Sequence, residues 1–336
     1  MEGYFHRLHR LTENRFWVNN PTPSQAKEAV QAGAIGCTTN PTYPWKQLDN
    51  VETKSEVESF IDDAMAETRD DQDAADLVQQ RCVKRILPYF ANIHGESAGK
   101  LGFVSIQGNP HRDQDGDYIA SESRRYRKLG ANVIAKIPVT KAGLDAIEQL
   151  VRENVPVIAT EVMSISQALT TAERYTAACA DSGNQPPMFL THITGIFDQY
   201  LSQENARSPF GVEEDVLFQA GTFVARRQAA ILAERGYGHI VMLGGGARGT
   251  HHFTEMVGGT MHVTINWKPT ALDLIGENTR VVSRFGAPNP AAMVRELLDK
   301  CRPFQLAYDE RALAADEVEE FGPVALFRSM FLDGWD

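Results

Sequence analysis

A lysine stands in the middle of an otherwise apolar run, Val133-Ile134-Ala135-Lys136-Ile137-Pro138-Val139. An ammonium group is almost never withdrawn from water without a partner or a purpose. Two readings stay open. In one, the side chain runs along apolar surface and its head reaches water. In the other, the amine is desolvated, its pKa falls, and it becomes nucleophilic enough to condense with a carbonyl. Its company favours the second. Other short apolar runs end in groups able to hold a substrate hydroxyl or a water: Asn19, Thr38-Thr39-Asn40, Gln107, Thr160, Thr191-His192, the stretch from Gly244 to Arg248, and Asn266. Any one of these is ordinary turn chemistry. The set is the more informative observation.

Eight such runs, at 15–19, 34–38, 103–107, 133–137, 157–160, 188–191, 239–243 and 261–265, alternate with longer amphipathic stretches. Most are apolar on both faces, as strands of a parallel sheet covered on both sides must be. Helix starts are marked. Thr22-Pro23-Ser24-Gln25 reads as an N-cap, a first-turn proline and a capping box, with Gly33 closing the helix, and Ser164-Ile165-Ser166-Gln167 repeats the box. Strand–helix alternation repeated eight times predicts an α/β fold, a (β/α)8 TIM barrel. Chemistry on such a barrel collects where the strands run out at their C-terminal ends. Residues 51–97 hold two helices' worth of extra pattern, and Asp70-Asp71-Gln72-Asp73 reads as a solvated helix start. No linker interrupts the chain. The expectation is one barrel domain over 1–336, with 290–336 as a helical extension packed on or across it.

The 336 residues include 33 Lys plus Arg against 44 Asp plus Glu, a formal net charge of −11. That balance argues against a nucleic-acid partner but allows a local basic site for a small anion. A hydrophobic share of 43% with 9% aromatics fills a large core and excludes disordered and fibrous classes. No apolar run approaches the ~18 residues of a membrane span, and the first residues lack the apolar stretch of a secretory signal. Cys37, Cys82, Cys179 and Cys301 are widely separated. They read as reduced thiols of a cytoplasmic protein.

In Gly244-Gly245-Gly246-Ala247-Arg248-Gly249, small residues let backbone N–H groups approach an anion, and a guanidinium follows. The same stretch satisfies G-x-G-x-x-G, but the next strand ends in Asn266 rather than an acid, so a dinucleotide is not expected, nor any other cofactor. His192, His251 and His252 could together hold zinc, although their spacing matches no tight ligand motif. His192 also has the titration range of an acid–base group. Regular alternation allows only one of Thr191 and His192 to point inward.

The segment from Lys136 to Ile147, K-I-P-V-T-K-A-G-L-D-A-I, resembles the Schiff-base segment of the transaldolase family. Gly36-Cys37-Thr38-Thr39-Asn40-Pro41-Thr42 is similar to that family's T-T-N-P-[ST] signature on the second strand. Val155 to Thr160, followed by Gln167-Ala168, resembles its fifth strand and next helix. The likeness runs from the first strand to the eighth in order. It implies class I aldol chemistry on a small-molecule sugar or sugar phosphate, in carbohydrate metabolism of the pentose phosphate kind. The lysine amine would attack the C2 ketone, the C3–C4 bond would break, and a dihydroxyacetone unit would be transferred or released. By position, Lys136 would be the nucleophile and Thr160 would orient a water. Asn40 would hold substrate hydroxyls, Thr38 and Thr191 would line the pocket, and Gly246 with Arg248 would receive a phosphate. Barrels of this family often associate, so a homo-oligomer stays open.

Three positions depart from the family pattern. The first strand ends in Asn19 where an aspartate is usual, and an amide cannot act as a general base. Gln107 replaces a third-strand glutamate, as in the fructose-6-phosphate aldolase branch. The sixth-strand arginine that grips phosphate has become Ile196, and Ser208-Pro209-Phe210 lies off the strand end. A divergent Schiff-base enzyme leads the expectations, with Lys136, Thr160, Asn19 and Gln107 at its reacting centre and His192 among the substrate-binding groups. A sugar-phosphate-binding barrel without turnover and a metal-dependent aldolase are the alternatives.

Overall fold

The computed structural model describes residues 2–336 and contains a closed, all-parallel barrel whose eight strands pair in chain order. They are β1 Arg15–Asn19, β2 Cys37–Thr38, β3 Val104–Gln107, β4 Val133–Pro138, β5 Val157–Val162, β6 Met188–Ile193, β7 Val241–Gly245 and β8 His262–Asn266, with β1 closing on β8. The expected barrel is therefore present, and the sequence pattern placed the limits of β1 correctly. Strand β2 is reduced to two residues, and β5 to β8 run further toward the barrel mouth than the apolar runs suggest. Polar residues end those apolar runs, but the backbone ladder continues through them because ladder bonding does not depend on side-chain polarity.

Alternation divides the barrel interior into two storeys. The lower is an apolar cluster of Trp17, Phe103, Ile134, Ile158, Phe189 and Leu243, separate from the larger core between strands and helices. The buried His262 accepts a hydrogen bond from the Trp17 indole at 3.0 Å. Nearer the C-terminal ends of β1 to β6 come Asn19, Thr38, Gln107, Lys136, Thr160 and Thr191. Gly36 makes the lower storey possible, because a Cβ there would lie 2.5 Å from the Trp17 ring. Gly36→Ala is accordingly expected to destabilise the fold by about 1–3 kcal/mol through overpacking. A urea midpoint no lower than that of the parent would show that Trp17 has room to spare.

The helix starts form as their residues dictate. Thr22 and Gln25 make a reciprocal capping box, and Gly33 closes that helix at φ 112°. Asp70 caps Asp71–Lys84 through the Asp73 amide, and Ser164 caps Ile165–Ser182 through the Gln167 amide. Residues 51–97 hold three helices, Lys54–Glu67, Asp71–Lys84 and Leu87–Glu96, after the short Tyr43–Leu48. Turn residues without strong punctuation hide the breaks between them, which is why the pattern suggested fewer.

After residue 290 come the helices Ala291–Lys300, Arg302–Tyr308 and Gly322–Trp335. The last crosses the mouth of the barrel. Arg328 donates to the Asp113 carboxylate at 2.8 and 2.9 Å and to the Pro110 carbonyl, and the Trp335 indole donates to Gln72 at 2.8 Å. A Cβ on Gly334 would lie 2.5 Å from Thr42, so the helix rests directly on the loop after β2.

Candidate active site

Lys136 projects from β4 into the upper storey and is 7% exposed. Its Nζ donates to Gln107 Oε1 at 3.0 Å, and the Phe331 ring of the last helix stands 5.7 Å away. Gln107 Nε2 donates in turn to Glu161 Oε1 at 2.9 Å. Burial holds the Lys136 amine below its ordinary pKa. Glu161 acts against that shift, and Lys46 adds to it. No carboxylate lies within ion-pairing distance of the amine among the described residues. An amine in this setting gives up its proton more readily than one on the surface.

Above it is a cavity of about 440 Å³ whose wall includes Asn19, Thr38, Asn40, Lys136, Thr191, Gly246 and Arg248. The polar side is tightly bonded. Thr38 Oγ1 donates to Asn19 Oδ1 at 2.9 Å and lies 2.6 Å from the Thr264 hydroxyl, while Asn19 Nδ2 donates to Asn266 Oδ1 at 2.9 Å. Asn40 Oδ1 accepts from Thr42 and from Asn20, so its carbonyl is spoken for and its amide N–H groups remain available. Thr191 Oγ1 has no hydrogen-bonding partner in the protein. Such a wall offers donors and acceptors to a polyhydroxy chain.

Two cations stand at the rim. Arg248 is braced by Gln199 Oε1 at 2.6 Å and by the Gly246 and Ala247 carbonyls, and no carboxylate pairs with it among the described residues. Lys46 also lines the cavity, and partial burial and the Arg248 charge hold its amine below its usual value. Ile196 fills the adjoining wall, where Gly195 and Gly246 pack so closely that a Cβ on Gly195 would collide with the Gly246 carbonyl. The helix Thr194–Arg207 begins here without a side-chain cap. Its first amides and dipole add positive potential at the rim.

Lys136, Asn19, Thr38, Asn40, Thr191, Gly246 and Arg248 thus share one cavity. Gln107 and Thr160 stand one step back in the barrel lining: Gln107 is bonded to the amine, and Thr160 pairs in register with Pro138. His192 is placed elsewhere. Its ring faces the helices, between Gln228 and the Gly221 carbonyl, and burial pushes it down to about 4. Strict alternation puts Thr191 inward and His192 outward, so the expectation that His192 binds substrate is corrected.

The three histidines do not converge on a metal site. Among the described residues, Asp198 joins His251 and His252, with ligand atoms within 4.8 Å. Both His252 nitrogens are already engaged, Nε2 with Asp198 at 2.9 Å and Nδ1 with the Arg248 amide at 3.1 Å. The second Asp198 oxygen accepts from the Gly221 amide. This chain of bonds anchors the backbone of the Arg248 loop.

Glu161, Lys46 and the placement of Phe331 of the last helix over Lys136 escaped the sequence reading. Glu161 follows Thr160 directly, and alternation would send it outward. Lys46 lies on a short helix with no apolar run to mark it. Only tertiary packing brings Phe331 over Lys136.

Comparison with known proteins agrees with this architecture. A family described as Transaldolase/Fructose-6-phosphate aldolase matches residues 16–268. The chain belongs to that family. It is similar to a transaldolase of Neisseria meningitidis serogroup A, at 36% identity over 89 residues, covering 26% of this chain and 25% of the relative. A transaldolase of Saccharopolyspora erythraea is 30% identical over 154 residues, covering 43% and 38%. A 6-deoxy-6-sulfo-D-fructose transaldolase of Priestia aryabhattai is 29% identical over 104 residues, covering 29% and 46%. The match spans about a quarter of the length of the Neisseria relative. No helix among the described residues is long and apolar enough to cross a membrane.

Proposed function

We propose that this protein is an enzyme of aldol transfer or cleavage that forms a Schiff base on Lys136 with a ketose carrying a terminal anionic group. The observation that carries the reading is a single buried amine. It opens onto a cavity of about 440 Å³ with hydroxyl and amide groups along one wall, and it has an amide, not a carboxylate, as its hydrogen-bonding partner. In that setting the neutral amine attacks the C2 carbonyl, and loss of water leaves an iminium. The C3–C4 bond then breaks with its electrons drawn into that iminium, while the C4 hydroxyl gives its proton to solvent in the cavity and its oxygen becomes the carbonyl of the leaving fragment. An aldehyde departs, and a three-carbon enamine stays on the enzyme. Asn19, Asn40 and Thr38 hold the hydroxyls of the chain. Arg248 and Lys46 receive the anion at the far end, and this arrangement suits a phosphate or a sulfonate alike. The sulfofructose transaldolase among the relatives makes the sulfonate worth testing.

Incubation with fructose 6-phosphate, 6-deoxy-6-sulfofructose or dihydroxyacetone, followed by borohydride and peptide mass analysis, is expected to fix the adduct on Lys136. Absence of mass on Lys136 with all three overturns the reading. Inactivation by a chelator with no adduct would instead favour a metal-dependent aldolase.

A further inference from the structure

Glu161 occupies a backbone conformation that a residue of its kind seldom adopts, at φ 62° within β5. A non-glycine residue in this region carries strain of order 1–3 kcal/mol, which persists only where the surroundings enforce it. The ladder shows the cause. Ala159 pairs with Leu190, and Val162 pairs with His192, so Thr160 and Glu161 together face Thr191. This is a β-bulge, and bulges re-aim side chains beside functional sites. Because His192 faces the helices, Val162 does too, and both intervening residues turn to the interior. Gln167 pins the bulge by donating to the Glu161 carbonyl at 3.0 Å and to the Val139 carbonyl.

The consequence is a carboxylate in the upper storey that alternation alone would exclude. Glu161 is 3% exposed and accepts from Gln107 Nε2, whose Oε1 accepts from Lys136. Among the described residues nothing donates to its second oxygen. The neighbouring Thr160 hydroxyl is buried without any partner in the protein, a setting that suits a bound water. Neither Asn19 nor Gln107 can titrate. Asp333, the other carboxylate beside the cavity, lies exposed at the rim.

We propose that Glu161 is the acid–base group of this site, exchanging a proton with the C2 oxygen of the substrate through a water held by Thr160. The step rests on the Schiff-base reading and is balanced within it. In the carbinolamine the C2–O bond breaks, and the oxygen leaves as water with the proton of the Glu161 carboxylic acid. The nitrogen lone pair closes the C=N bond, and Glu161 is left as the carboxylate. Hydrolysis of the finished imine reverses these movements, with Glu161 taking a proton from the attacking water. The groups facing Glu161 are Lys136 from β4, Gln107 from β3, Asp113 from the loop beyond β3 and Arg328 from the last helix. Burial and Asp113 favour its protonated form, while Lys136, Gln107 and Arg328 oppose them. Burial therefore moves both Lys136 and Glu161 toward their neutral forms, the pair that the first step requires.

The test uses Glu161→Gln, which keeps the acceptor for Gln107, together with the exchange Gln107→Glu/Glu161→Gln, which moves the carboxyl one place along the chain of hydrogen bonds, directly beside the amine. With fructose 6-phosphate as donor, kcat of E161Q should fall about 10²–10³-fold, the magnitude of a lost general acid–base. Borohydride should still trap Lys136, only more slowly. Wild-type activity should decline at high pH as Glu161 loses its proton, and E161Q should lose that limb. The exchange variant should recover turnover to within about tenfold. A kcat of E161Q within threefold of wild type, an unchanged high-pH limb, or a fall that the exchange does not relieve overturns the assignment. So does removal of that limb by Asp333→Asn instead. If wild type itself traps nothing, the Schiff-base reading fails; if wild type traps and E161Q behaves like it, only the role of Glu161 fails.

Discussion

Lys136→Met is expected to lose the reducible adduct and to lower turnover by roughly 10⁴-fold or more, the scale at which loss of a covalent nucleophile is felt. Methionine keeps the length and apolar character of the stem, so the variant should fold. Its melting temperature should equal or exceed the parent's, because the change removes a buried amine that burial disfavours. The same burial predicts a pH dependence. The nucleophile is the neutral amine and its acid is protonated Glu161, so the rate should pass through a maximum, climbing on the acid side and falling on the alkaline side. Because desolvation lowers that pKa, the climb should come well before the ~10.4 of an exposed lysine. Initial rates of product formation across pH, with the trapped mass as a parallel readout, check both statements. A K136M variant that retains turnover, or a wild-type rate that climbs only near pH 10, contradicts the role given to this amine.

The second large effect concerns Arg248. Arg248→Ala should raise KM for fructose 6-phosphate by about 10–100-fold, the range of a charge-assisted hydrogen bond lost at a partly solvated rim. Trapping of free dihydroxyacetone, which has no anionic end, should change little. Lys46→Met should do the same to a smaller degree, and the double variant should approach the behaviour of a neutral ketose. The gap between phosphorylated and unphosphorylated donors is the measurement. Equal losses for both would mean that Arg248 shapes the loop rather than receiving an anion. The mutual repulsion of two cations with no acid between them makes the first outcome the expected one, since an anion relieves it.

Much of this architecture was legible because burial and periodicity are local properties. The apolar run around Lys136, the limits of β1, the Thr22 capping box and the glycines before Arg248 all announce themselves within a few residues. Glu161 does not, because a bulge shifts the two-residue period by one, and no residue type marks where that happens. His192 illustrates the same rule from the other side: the polar pair Thr191-His192 has one inward member, and only the ladder says which. Asp198, which replaces His192 beside His251 and His252, lies six residues further on along a helix whose facing depends on its neighbours. The last helix was recognisable as a helix, but its seat over β4 is fixed by Arg328 on Asp113 and Trp335 on Gln72, contacts between residues more than 200 positions apart.

The apolar plug formed by Trp17 and Phe189 with their neighbours gives the molecule a sealed floor. Reactants enter the cavity over the amine from the rim, opposite that floor, and what enters by this door leaves by it. Thermal robustness and turnover then draw on different residues of the same eight strands. Alterations to the floor move the melting point, those at the ceiling move the kinetics, and a laboratory seeking a tougher variant can work below Lys136 without touching the chemistry above it.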